Sequence, residues 1–105
     1  MLRVIFVATI VFSAPVGAQS FQSMELATNL GTVLGSEGGC NLSFSQAAID
    51  AWIDNNVDAS DMGFPGTLSM MVQGIEFQMQ SMSGSALTAH CRAVERTARH
   101  YSFVE

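Results

Sequence analysis

The two cysteines, Cys40 and Cys91, constrain the fold of this chain more than any other sequence feature. A disulfide between them would close a loop of about fifty residues and, through the entropy of the unfolded chain, stabilise the fold by roughly 4 kcal/mol. That is a large share of the net stability of a small domain. Whether the bond forms depends on the compartment, because thiols pair in oxidising surroundings and stay reduced in the cytosol.

Residues 1–18 have the pattern of a secretory signal peptide. Arg3 supplies a positive start, residues 4–12 form an apolar run, and small residues precede a predicted cleavage site before Gln19. The run is shorter than the roughly 20 residues of a membrane span, so an uncleaved anchor is the less favoured interpretation. We therefore predict a periplasmic or secreted protein, with no membrane insertion of the mature chain.

A periplasmic or secreted location favours a structural disulfide between the two cysteines. A redox-active or metal-binding thiol pair is the alternative, but Cys-x-x-Cys spacing is absent. We interpret residues 19–105 as a single domain, because about 87 residues are near the lower size at which one core stabilises a fold unaided.

The charge balance of the mature chain argues against several classes of partner. Three arginines remain against nine acidic residues, a formal charge of about −6. Nucleic-acid binding and attraction to anionic membrane both need a basic surface, so neither is expected. The arginines, Arg92, Arg96 and Arg99, share one side of a predicted helix and form a possible partner-facing surface. The alternative is a solvated face near a helix carboxyl end, where positive charge suits the helix dipole.

Apolar residues recur at spacings of three and four, and no strand pattern competes. The sequence therefore predicts an all-α fold, a small four-helix bundle with one disulfide. The first helix is expected over about residues 20–34 and the fourth over about 86–101. The apolar stripes comprise Leu26, Leu30, Val33 and Leu34; Ile49, Trp52 and Ile53; Leu68, Met71, Val72, Ile75, Met79 and Met82; and Leu87, Cys91, Val94, Ala98 and Tyr101.

The beginnings of the two middle helices depend on capping residues. Ser43 followed by Gln46 matches a capping box, which predicts that the second helix begins there. The third helix begins either near Asp61 or near Thr67, and both possibilities stay open. Gly74 within this helix costs about 1 kcal/mol relative to alanine, and a close helix crossing would account for it.

Catalytic signatures are weak, and we predict that the protein is not an enzyme. His90 and His100 are the two histidines, and ten helical residues would separate them by about 15 Å. Neither a nucleophile elbow nor a phosphate-binding glycine loop is present. Asp50 and Asp54 lie one helical turn apart, but such a pair on a polar face is typically solvated.

Six methionines remain after residue 18, which is the unusual count in this composition. Thioethers select Cu(I), and Met79 and Met82 are expected to share a helical face, with His90 nearby as a further ligand. A copper-binding protein is therefore our alternative hypothesis. Most of the methionines also fit an apolar stripe as flexible core residues, and a methionine-rich face can adapt to varied protein partners.

Two resemblances accompany these patterns. Residues 61–64 and 70–74, followed by His90 and Cys91, resemble a group of short secreted alphaproteobacterial proteins of unassigned activity. The resemblance implies a periplasmic location and carries no catalytic residues. The layout is also similar to that of HdeA-type periplasmic helical chaperones, which are small, all-helical and contain two cysteines about fifty residues apart.

Together, these observations predict a protein that acts by binding another protein. The expected partner is another envelope protein, for which this chain would be a subunit or adaptor, or an unfolded client. No cofactor is expected.

Overall fold

A computed structural model describes residues 16–105 of the chain, with side chains from Phe21 onward. This part of the chain contains four helices and no strand, which confirms the predicted all-α fold. The predicted signal peptide, residues 1–18, lies largely outside the described residues and stays a prediction. The helices are α1 (Val16–Gly35), α2 (Gln46–Asn56), α3 (Phe64–Gln80) and α4 (Gly84–His100).

Helix α1 is the centre of the fold, because α3 packs along it and α4 also contacts it. In the predicted apolar stripe of α1, Leu30 and Val33 are buried, while Leu26 and Leu34 are partly buried. The remaining core comes from the other helices and from the segments that flank α2 and follow α4. The buried apolar cluster comprises Ala27, Leu30, Val33, Phe44, Ile49, Phe64, Val94, Ala98 and Phe103.

Two glycines allow α1 and α3 to approach closely. A Cβ atom on Gly31 would lie 2.6 Å from the Cβ of Met71, and one on Gly35 would lie 2.7 Å from the carbonyl oxygen of Val72. Real Cβ atoms do not approach other heavy atoms this closely, so the crossing requires glycine at both positions.

The sequence had associated a close crossing with Gly74, and that interpretation is wrong. No atom of the described residues lies within 4 Å of a Cβ built on Gly74. Residues Met71, Val72 and Ile75 form the side of α3 that faces α1, and Gly74 is rotated away from this side by the helical repeat. The glycines that serve the crossing are on α1 instead.

The N-cap of α2 lies two residues later than the cap proposed at Ser43. Ser45 is the N-cap, and its hydroxyl accepts a hydrogen bond from the Ala48 amide at 3.2 Å. The delay has a tertiary cause. The ring of Phe44 is buried beside Phe103, with centroids 5.8 Å apart, and the Ser45 amide donates to the Phe103 carbonyl at 2.9 Å. This pairing holds the chain extended until the helix begins.

Helix α3 begins between the two positions that the sequence left open. Its first residue is Phe64, Pro65 occupies the first turn, and Gly63 at the N-cap has no side chain to bond. A carboxylate oxygen of Asp61 accepts the Phe64 amide at 3.1 Å and so satisfies one of the free amides at this helix end. The second oxygen of Asp61 accepts the hydroxyl of Ser23 on α1.

The disulfide between Cys40 and Cys91 is present, as the sequence predicted. The two Cα atoms are 5.3 Å apart, an ordinary separation for a disulfide. The bond ties the loop after α1 to the middle of α4. Because both cysteines of the chain are paired, the protein has no free thiol.

Candidate functional site

The predicted arginine surface is exposed on α4. Arg92, Arg96 and Arg99 are all exposed, and Arg99 forms an ion pair of 2.7 Å with Glu95 one turn earlier. An exposed pair of this type contributes at most about 0.5 kcal/mol. Arg92 also lines an open cavity of about 370 Å³ beside the disulfide. The role of these arginines in partner binding stays a prediction.

The histidines and the paired aspartates occupy separate places. Asp50 and Asp54 are exposed on α2, as expected for a solvated pair, and His100 is exposed at the end of α4. His90 is half-buried and faces α1, where its Nε2 lies 2.8 Å from the hydroxyl of Ser36. This contact therefore links α4 to the turn that follows α1.

The Ser36–His90 pair is a feature that sequence analysis missed. The Ser36 hydroxyl also lies 2.6 Å from the carbonyl oxygen of Thr32. A carbonyl only accepts hydrogen bonds, so the hydroxyl hydrogen goes to Thr32 and His90 donates from Nε2. Ser36 is fully buried. A buried hydroxyl whose hydrogen is already bonded to a carbonyl is not an activated nucleophile, so the pair is a polar link between α1 and α4.

Helix α3 ends at Gln80, so Met82 lies beyond it and the expectation that Met79 and Met82 share a helical face is wrong. Met79 is 8 % exposed, and a Cβ on Gly39 would lie 2.5 Å from its terminal methyl group. Met82 is half-buried. In the part of the chain that the structure describes, no group of three or more His, Cys, Asp or Glu residues is placed to hold a metal ion. Packing against the loop at Gly39 is therefore sufficient to explain the burial of Met79.

The double substitution Met79→Leu with Met82→Leu tests packing against copper binding. If packing is their role, the free energy of unfolding should change by less than about 1.5 kcal/mol, because leucine and methionine have similar volumes. Thermal unfolding measures this change. Competition with a Cu(I) chelator supplies the second measurement. Submicromolar Cu(I) binding by the wild-type protein that disappears in the variant would establish the copper site instead.

A larger open groove lies between the amino-terminal half of α1 and the segment that joins α2 to α3. Its volume is about 610 Å³. Apolar side chains from both sides line it, and two of them are methionines with substantial exposure, Met24 and Met62. Met62 is 85 % exposed, so it projects from the rim into solvent. The apolar lining consists of Met24, Leu26, Val57 and Met62.

The groove also carries two carboxylates. The Asp58 carboxylate accepts hydrogen bonds from the hydroxyl and the amide of Ser60, and these bonds lower the pKa of Asp58 below its ordinary value. Asp58 therefore stays ionised at neutral and mildly acidic pH. Asp61 has both oxygens engaged by the chain itself. Among the described residues that line this groove there is no lysine, arginine or histidine, so the formal charge of this lining is negative.

The described residues expose further large apolar side chains outside the groove. Met70 and Phe77 on α3 are 72 % and 76 % exposed. They are seven residues apart and therefore lie on one side of the helix. Phe21 on α1 is exposed as well.

Comparison with known protein families, curated proteins and solved structures finds no match to this chain. The functional argument therefore depends on the geometry of the groove and on the exposed surfaces. Among the described residues, no helix is both long and apolar enough to cross a membrane. The disulfide is typical of proteins that reside outside the reducing cytosol.

Proposed function

We propose that this protein acts in the periplasm, or after secretion, by binding a segment of another protein in the groove between α1 and the α2–α3 segment. The observation that carries the proposal is the groove itself. It is open, about 610 Å³ in volume, and combines methionine-containing walls with an ionised carboxylate. Concave sites that combine apolar walls with fixed polar groups are typical binding sites, and in this groove both kinds of side chain contribute.

The chemistry of the groove indicates what kind of segment fits. Met24 and Met62 are flexible and polarisable, so they can adjust to apolar side chains of different shapes. Asp58 on the rim favours a lysine or arginine beside those apolar side chains. The expected partner segment is therefore apolar with at least one basic residue. An envelope subunit or an unfolded client can both present such a segment.

Catalysis is not part of the proposal. The one serine–histidine pair found in the described residues has its serine hydroxyl hydrogen bonded to a carbonyl. The disulfide occupies both thiols, which removes them as nucleophiles or metal ligands while the bond is intact.

Co-purification from the native envelope with charge variants tests this proposal. Asp58→Asn removes the charge, while an amide oxygen can still accept the Ser60 hydrogen bonds. We expect a partner to be recovered several-fold less efficiently with Asp58→Asn, because a rim charge contributes about 1 kcal/mol or less. Asp54→Asn is the matched control, since Asp54 is exposed on α2 outside the groove.

The pattern of recovery decides between the outcomes. A discrete partner that depends on Asp58 supports a subunit or adaptor role, and many clients that depend on Asp58 support a chaperone-like role. Equal recovery with both variants, or no recovered protein, would contradict binding at this groove.

A further inference from the structure

Two glycines of α3 face open space in the part of the chain that the structure describes. Among the described residues, no atom lies within 4 Å of a Cβ built on Gly66 or on Gly74, and neither glycine has a positive φ. Glycine within a helix costs stability relative to alanine, so these positions lose stability without any gain inside the monomer. The glycines of α1 differ, because Gly31 and Gly35 are required by a close helix contact.

The same side of α3 carries its two exposed large apolar residues. At 100° per residue, Gly66, Met70, Gly74 and Phe77 fall within an arc of about 80°. We call these four residues the outer face of α3. This face points away from the side of α3 that packs on α1, and Met70 and Phe77 are 72 % and 76 % exposed there.

We propose that the outer face of α3 pairs with the outer face of a second copy of this chain, in an antiparallel arrangement about a two-fold axis. Small and large residues alternate along the face, in the order glycine, methionine, glycine, phenylalanine. A surface of this kind is self-complementary, which a two-fold interface requires.

The antiparallel orientation follows from the residue spacing. A two-fold axis near residue 72 places Met70 opposite Gly74 of the second copy. It also places Phe77 opposite Gly66 of the second copy to within one residue, or about 1.5 Å. Each large side chain then meets a glycine. A parallel pair in register would instead place methionine on methionine and leave the glycines facing each other.

The charge of the chain and the area of the outer face both support a second copy of the chain as the partner of this face. The chain is acidic, with a formal charge of −5, so most of its surface repels another copy. Glu76 is the one charged residue of α3, and it lies about 120° from the centre of the outer face. The exposed parts of Met70 and Phe77 in two copies total roughly 600 Å². With the glycine backbone and neighbouring glutamines, the interface reaches about 1,000 Å², near the lower limit for specific association.

This inference goes beyond the proposed function and does not depend on it, because no residue of the outer face lines the groove. An interface of this size predicts a weak dimer, with a dissociation constant on the order of 10 µM. Sedimentation equilibrium of the disulfide-bonded mature protein between about 1 and 300 µM measures this constant.

Alanine variants test the assignment without disturbing the monomer. Gly66→Ala with Gly74→Ala should weaken the dimer at least tenfold, because the added methyl groups occupy the space for Met70 and Phe77. Their thermal unfolding at low concentration should be unchanged or slightly improved. Gly38→Ala is the matched control, since a Cβ there also meets no atom within 4 Å, and it should leave the dimer unchanged.

A photo-crosslinking residue tests the orientation. At Gln73, near the two-fold axis, it should link the two copies. At Gln80 it should not, because the antiparallel arrangement separates the two copies of that position by more than 20 Å. A monomer at 300 µM, a dimer that tolerates both alanines, or crosslinks from Gln73 to a different protein alone would overturn the proposal.

Discussion

Loss of the Cys40–Cys91 disulfide is expected to lower the melting temperature by about 20 °C. The bond joins residues 51 apart in sequence, and closing a loop of this length restricts the unfolded chain by roughly 4 kcal/mol. In a domain of this size, each kcal/mol corresponds to about 4–8 °C. Thermal unfolding followed by circular dichroism, with and without reductant, measures the effect.

The variant with both cysteines changed to alanine is the control for the reductant. It should unfold at the lower temperature of the reduced protein, and reductant should not change it further. Intact mass after thiol labelling without reductant should show no label on the wild-type chain. A melting temperature that falls by less than about 5 °C on reduction would show that the bond has little stabilising role.

A single methyl group added at the α1–α3 crossing should also be strongly destabilising. Gly31→Ala and Gly35→Ala are each expected to lower the free energy of unfolding by about 2 kcal/mol. The added carbon would lie 2.6 Å from the Met71 Cβ in the first variant and 2.7 Å from the Val72 carbonyl oxygen in the second. Relief requires the helices to separate, and overpacking of this kind costs about 1–3 kcal/mol.

Gly74→Ala provides the comparison on the partner helix. Its methyl group meets no atom in the monomer, so the higher helix propensity of alanine should raise the stability by up to about 1 kcal/mol. Denaturant unfolding at a protein concentration of about 1 µM compares the three variants as monomers. If Gly31→Ala and Gly35→Ala were as stable as Gly74→Ala, the close approach of α1 and α3 would be wrong.

The helices and the disulfide could be predicted from the sequence because both depend on local or pairwise patterns. Spacings of three and four marked the buried side of each helix, such as Leu30 in α1 and Val94 in α4. The signal-peptide pattern and an even number of cysteines were enough to predict the bond between Cys40 and Cys91.

Features that depend on tertiary contacts could not be predicted in this way. The cap of α2 is at Ser45 because Phe44 packs on Phe103, which follows 59 positions later in the printed sequence. A glycine lies at a helix crossing when it is on the side of its helix that faces the partner helix. The sequence of one helix alone does not determine which side that is. The sequence pattern associated the crossing with Gly74, and the spacing of four between Gly31 and Gly35, which is the local pattern that accompanies the close approach, did not enter that prediction.

The groove could not be predicted from the sequence either, because it too is formed by tertiary contacts. Met24 and Met62 are distant in sequence and line the same groove because α3 packs along α1. A methionine count above the ordinary level indicated an adaptable surface, but it did not show which methionines are exposed. The Ser36–His90 link was equally hidden, since nothing local to either residue predicts the other.

Site-specific photo-crosslinking from position 62 in the native envelope tests binding at the groove most directly. Met62 is 85 % exposed on the groove rim, so a crosslinking residue there reports contact without disturbing the core. Ala89, exposed on α4 outside the groove, is the control position. The account predicts adducts from position 62 that weaken several-fold with Asp58→Asn and are absent from position 89. Adducts of equal yield from both positions, or none from position 62, would contradict it.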